Sequence, residues 1–327
     1  MKRIAALLLA FLLSASAAAA LAKAAEPVAV TVVAAGGLGD RSVYDSANEG
    51  LQMLVAEFGV NGRFMECRED ASLYTAQLIL AAEDSDYVVA VGRQLYSSLQ
   101  EVAPQKPEVK FIYVDQELEG IPNLLSIPFA SNEGSFLVGY VAGKLSKTRK
   151  VGAVGGMSDK ATNDFLVGYR QGARYANSAT GVEFVYTWDY ESPSKGKGYA
   201  KTLFDRGCDT VFAVAGKTSE GVFEAARQAG KYAIAIDADQ KYIAPDVIVA
   251  SMKKNIGLSI YTVIKSSIAD GIWNGGTAWV ADMANGFVDI GYGTPDMVQQ
   301  VSDELKAEVE TIKQMIIAGE IVVDTAR

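Results

Sequence analysis

The 327-residue chain contains no histidine. That absence removes Ser-His-Asp hydrolysis and any zinc site built on imidazole. Cysteine is nearly absent too: Cys67 and Cys208 are the only two, too few for a thiolate zinc cage. Cys67 ends a predicted strand in the first half and Cys208 begins one in the second. If the halves form separate lobes, the sulfurs cannot reach bonding distance, so both are expected unpaired and buried. Basic residues are in deficit, 30 Lys and Arg against 39 Asp and Glu. Nucleic acid and anionic membrane surfaces both require basic patches, and neither is expected as a partner.

Long apolar runs are missing beyond the first 24 residues. Lys2 and Arg3 precede an apolar run from Ile4 to Leu13, and alanines then lead to Ala22-Lys23-Ala24. This is the three-part layout of a secretory signal. The run is shorter than the roughly 20 residues a membrane span needs, and no cysteine stands nearby to carry a lipid. Cleavage near Ala24 would release an exported, soluble protein, periplasmic or extracellular, with 27 basic and 39 acidic residues and a net charge of −12. About 300 residues suffice for two lobes, each with its own core.

What the chain does have is a repeat of short apolar strands followed by helices. Strands are predicted at 28–35, 62–67, 87–91, 110–114, 124–128, 150–155, 182–187, 210–215, 232–236 and 247–251. Several are rich in Val and Ile without polar alternation, as in strands covered on both faces. Helices are predicted at 47–58, 71–82, 94–102, 133–147, 162–176, 195–206, 219–228 and 256–269, with a terminal helix over 295–318. Alternation of this kind gives parallel sheets with crossover helices. Ten strands divide more easily into two sheets of five than into one. The expected α/β architecture is two doubly wound lobes, residues 25–128 plus about 253–278 and residues 129–252 plus about 279–327, joined by several crossings that act as a hinge.

Polar chemistry gathers at the carboxyl ends of these strands, where α/β sheets bind ligands. After the first strand, Gly36-Gly37-Leu38-Gly39 leads to Asp40, Ser42 and Tyr44. Arg93 follows the third strand and Asp115 the fourth. In the second half come Trp188 and Tyr190, then Gly216 and Lys217, then Asp237, then Lys254. Each alone reads as a cap, a turn residue or a solvated charge. Together they describe a cleft with acids on one lobe facing an acid and a lysine on the other. Carboxylates accept from hydroxyls and base N–H groups, lysine donates to oxygens, and the aromatics offer flat faces for a ring. Ala215-Gly216-Lys217-Thr218 ends like a phosphate loop, but Val211 stands where the loop's first glycine is needed.

The stretch Asn132-Glu133-Gly134-Ser135-Phe136-Leu137-Val138-Gly139-Tyr140-Val141-Ala142-Gly143-Lys144-Leu145, with Lys150-Val151-Gly152-Ala153-Val154-Gly155-Gly156-Met157, resembles the basic membrane protein family. So do Gly221-Val222-Phe223-Glu224-Ala225-Ala226 and Asp237-Ala238-Asp239-Gln240. These proteins are solute-binding components of ABC importers, typified by the purine nucleoside receptor. The resemblance implies a type I periplasmic-binding fold, an ABC permease as partner, and a nucleoside-like ligand between the lobes. It implies that Asp40, Asp115 and Gly216 belong to the pocket, that Asp237 takes ribose hydroxyls, and that Lys254 is the cleft lysine. Departures stand beside it. Val43-Tyr44 replaces a usual Phe-Asn, Arg93 replaces a bulky apolar residue, Lys217 replaces a second glycine, and Tyr190 stands where a stacking Phe is expected. They leave a riboflavin-like or sugar ligand open. An enzyme such as a nucleoside hydrolase would need an acid–base pair or a metal, and nothing marks one. A monomer without cofactor or catalytic residues is expected.

Overall fold

A computed structural model describes residues 27–326. The expected signal, 1–24, lies outside the described residues.

The first sheet contains β1 (Ala29–Ala34), β2 (Asn61–Glu66), β3 (Tyr87–Val91), β4 (Lys110–Val114) and β5 (Leu124–Ile127), in the order β2-β1-β3-β4-β5. All pairings are parallel. Helix α1 (Val43–Phe58) covers one face, with α2 (Tyr74–Glu83) and α3 (Tyr96–Val102) on the other. Alternate strand residues serve each side. Val30, Val32 and Val89 pack with Leu51 of α1, while Val33, Val88 and Ala90 pack with Leu78 of α2 and Leu99 of α3. That two-sided burial explains the unbroken apolar strands.

The second sheet repeats the winding with β6 (Lys150–Gly155), β7 (Gly181–Tyr186), β8 (Thr210–Val214), β9 (Tyr232–Asp237), β10 (Ile248–Lys254) and β11 (Val288–Gly291). Its order is β11-β10-β9-β8-β6-β7. Only β11 is antiparallel, paired with Ser251–Lys254. Helices α4 (Ser131–Leu145), α5 (Lys160–Ala176), α6 (Pro193–Asp205) and α7 (Ser219–Ala229) alternate with its strands. Pro193 occupies the first turn of α6, where its missing N–H costs nothing.

Between the sheets the chain passes three times. It crosses from β5 into α4, then from β10 through Asn255 into α8 (Ile256–Ala269), which packs on α1. It returns along a segment bridged beside β5 at Ser126–Ala278 and Phe129–Ala281. Two mostly parallel sheets linked in this way make the two-lobe, periplasmic-binding-like architecture. After β11 the chain ends with α9 (Asp303–Ile317) against α4.

Two expectations need adjustment. No strand was expected near 288, and β10 runs through Lys254 because β11 pairs with its last residues. The terminal helix begins at Asp303 rather than 295, since Ser302 caps it by accepting from Leu305 N. Lys144, in the last turn of α4, lies 2.6 Å from Glu308 of α9. Cys67 and Cys208 are buried and unpaired in different lobes, and burial pushes the thiols up to about 11 and about 12. Among the described residues no helix is long and apolar enough to cross a membrane.

Candidate functional site

Both sheets follow the doubly wound 2-1-3-4-5 order, which opens a crevice where the winding reverses. In the first lobe that crevice lies between β1 and β3, at Gly36 and Gly92. In the second it lies between β6 and β8, at Gly156 and Gly216. The carboxyl ends of the two sheets face each other across a cavity of about 1000 Å3.

A tyrosine covers each crevice. Tyr44 lies so close to Gly36 that a Cβ there would sit 2.4 Å from its ring, and its hydroxyl donates to Glu69 Oε1 at 3.3 Å. Tyr190 presses on Gly156, where a Cβ would sit 2.1 Å from the ring, and borders Gly216. Its hydroxyl bonds Thr162 Oγ1 at 3.1 Å. The glycines therefore admit the rings. Burial raises both phenols above their ordinary value.

Asp115 and Asp237 occupy equivalent places, the residue after β4 and the last residue of β9, and each has a left-handed φ, 63° and 65°. Between them stands Lys254, whose side chain is only 3% exposed. Its Nζ donates to Asp115 Oδ2 at 2.6 Å and lies 2.9 Å from Asp237 Oδ1, the latter an ion contact off the hydrogen-bonding line. The Phe165 and Phe129 rings flank the ammonium at 5.1 and 5.8 Å. Burial alone would lower this lysine, but the two carboxylates outweigh it and hold the ammonium above its ordinary range. Burial raises Asp115, with Lys254 opposing and Asp237 adding to the rise. Ser42 Oγ completes the group by donating to Asp237 Oδ2 at 2.9 Å.

Ten of the eleven sequence candidates line the cavity: Asp40, Ser42, Tyr44, Arg93 and Asp115 from the first lobe, Trp188, Tyr190, Gly216, Lys217 and Asp237 from the second. Lys254 sits behind the wall. Asp40 is spent locally, accepting from the backbone N–H groups of Ser42, Tyr44 and Asp45 at 3.1, 2.9 and 3.1 Å. It caps α1 from outside, because the residue at the cap position, Ser42, is turned toward Asp237 instead. Trp188 stands at the rim, 62% exposed. Arg93 is paired with Asp159 across the cleft at 3.0 Å.

Asp159, Thr162, Phe165, Glu69 and Gln240 also line the cavity and were not singled out in the sequence. The strand-end rule reaches Glu69 after β2 and Asp159 after β6. In the sequence Gly155-Gly156 enters only within the stretch that resembles the family. Backbone strain marks the same place. Arg41, Arg68, Glu69, Asp115, Trp188 and Asp237 have positive φ and line the cavity, and among the described non-glycine residues only Arg149 shares that conformation elsewhere.

Known proteins share the sequence family and the fold. The model of the Bmp family, ABC transporter substrate-binding protein PnrA-like, matches residues 27–326. Basic membrane protein A1 of Borrelia garinii is 29% identical over 299 residues, covering 90% of this chain and 87% of the relative. The CD4+ T-cell-stimulating antigen of Listeria monocytogenes is 31% identical over 307 residues, covering 88% and 85%. A solved ABC transporter solute-binding protein from Aeropyrum pernix K1 superposes with a TM-score of 0.79 at 26% identity, covering 92% of this chain and 94% of its own. The chain belongs to the Bmp family of PnrA-like ABC transporter substrate-binding proteins.

Proposed function

We propose that this solute-binding protein closes on a nucleoside or similar ring-bearing metabolite and presents it to an ABC permease. The observation that carries this reading is the Asp115–Lys254–Asp237 group, with Ser42 beside it, joining the lobes at the cavity floor. Two carboxylates and an adjacent hydroxyl suit a ligand with vicinal hydroxyls, while Lys254 stands between the acids. Asp237, Asp115 and Ser42 act as acceptors or donors to the polar part. Tyr44, Tyr190 and Trp188 cover the ring, with Gly216 giving close approach and Lys217 and Arg93 at the margin. Asp40 shapes the turn. The residue divisions 25–128 plus about 253–278 and 129–252 plus about 279–327 are taken as the moving lobes. Export by the 1–24 segment, a monomeric state and the absence of catalysis complete the reading.

Native mass spectrometry of freshly purified mature protein tests it by looking for a co-purified nucleoside. Asp237→Ala and Lys254→Ala should each weaken binding of that ligand at least tenfold by calorimetry, about 1.4 kcal/mol or more. Unchanged affinity in both would refute the site. A riboflavin-like ligand is the second reading, favoured by the cavity of about 1000 Å3, at the upper end of small-molecule pockets. A yellow preparation with flavin mass would decide for it.

A further inference from the structure

Arg93 makes contacts that its place at the cavity margin does not require. It follows Gly92, whose φ of 117° turns the chain at the end of β3, and its carbonyl accepts from the Tyr113 hydroxyl at 3.1 Å. The backbone is thus fixed at the first-lobe crevice while the side chain crosses to the second lobe. There Nη1 donates to Asp159 Oδ2 at 3.0 Å, and the guanidinium lies 5.0 Å from the centre of the Tyr190 ring.

The receiving surface is already assembled within the second lobe. The other oxygen of Asp159, Oδ1, caps α5 by accepting from Thr162 N at 2.8 Å. Tyr190 is held by Thr162 through its hydroxyl and by Gly156 beneath its ring. One helix start therefore orients both the carboxylate that meets Arg93 and the ring on which it stacks. Arginine suits this better than lysine, since its planar head donates at the edge while stacking on its face.

We propose that Arg93 is a positioning residue that closes the cleft: it clamps the first lobe onto the Asp159–Tyr190 surface of the second, so that the ligand-free protein already favours the closed form and Tyr190 is pinned as a wall. The guanidinium acts between lobes and need not touch the ligand. A ligand entering a protein biased in this way spends less of its binding free energy on closure. The inference rests on the solute-binding architecture and not on the identity of the ligand.

Energy transfer between dyes on Ser97→Cys in α3 and Ser194→Cys in α6 reads closure without any ligand. Both positions are exposed, whereas the native thiols are buried. In this background Arg93→Ala should lower the closed-to-open ratio about tenfold, and Arg93→Lys should restore only part of it. Asp159→Asn keeps a capping side chain and removes the charge, so it should lower the ratio by about threefold with no loss of α5. The double variant Arg93→Ala with Asp159→Asn should fall short of the product of the single effects. Raising NaCl from about 0.05 to about 0.5 M should open the parent more than Arg93→Ala. The clamp is refuted if Arg93→Ala and Asp159→Asn both keep the parental ratio with unchanged unfolding midpoints, or if their effects simply multiply. If Arg93→Ala also lowers the unfolding midpoint, the Asp159→Asn ratio decides.

Discussion

Lys254 shows how a residue can be found by its chemistry and still be misplaced by its sequence. A lysine after an apolar strand reads as a cation facing the cleft. In the fold it belongs to β10 itself and lies behind the surface, because the short antiparallel β11 extends that strand past its apolar run. Asp115 and Asp237 were legible from strand ends alone, whereas Asp159 was hidden behind a Gly-Gly pair whose ring partner lies 34 residues further on at Tyr190. A second buried lysine gave no signal at all. Lys241 is fully buried in the turn between β9 and β10, and its Nζ donates to Ile248 O at 2.6 Å and Gln300 Oε1 at 2.5 Å. Burial pushes its ammonium down to about 8 from 10.5, against a partial pull upward from Asp239. Between those values the unfolded chain binds more protons than the folded one, so this group makes stability rise as the pH climbs from about 8 to 10.5. The expected rise is on the order of 2 kcal/mol, seen as a higher urea midpoint in the native protein than at pH 7.5 and missing in Lys241→Met. A parallel rise in the variant would assign the effect to other groups.

At the scale of elements, most strands and helices were readable because the central strands are apolar on both faces and each helix is punctuated by polar residues or glycine. Strand β11 escaped because Val288–Gly291 is four residues set among glycines, with a length and pattern that its pairing alone makes a strand. The glycines of α4 carried a family likeness in the sequence but no stated reason, and those of α5 drew no comment. The fold supplies one. A Cβ on Gly139 would lie 2.2 Å from Tyr169 O, and one on Gly172 would lie 1.9 Å from Phe136 O. Backbone meets side-chain-free backbone, and the two helices pack more closely than larger residues allow. Gly172→Ala should therefore destabilise the protein despite alanine's better helix propensity, by about 2 kcal/mol, because the obstacle is main chain and cannot rotate away. Chemical denaturation checks it, and a variant as stable as the parent would mean that the helices shift apart at little cost.

For the whole molecule, the two-lobe plan followed from counting strands, while the way the lobes engage did not. Contacts such as Ser42 with Asp237 and Arg93 with Asp159 link residues 195 and 66 positions apart, and no local pattern encodes them. The path of α8 has a consequence for the order in which the molecule can be built. Gly257 of α8 packs against Gly50 of α1, and Ile256, Ile260 and Ile264 join Leu51 and Leu54 in one buried cluster. A chain emerging from its amino end holds all five strands of the first sheet by residue 127 but lacks the helix that seals one face until residue 269. The fragment 27–128 should accordingly bind a hydrophobic dye and unfold without a cooperative transition, and adding a peptide of residues 253–278 should reduce the dye signal. A cooperatively folding fragment would show that α8 is dispensable. The first lobe to be synthesised is thus among the last to be finished, and its sheet keeps one apolar face uncovered until the chain has grown to residue 269.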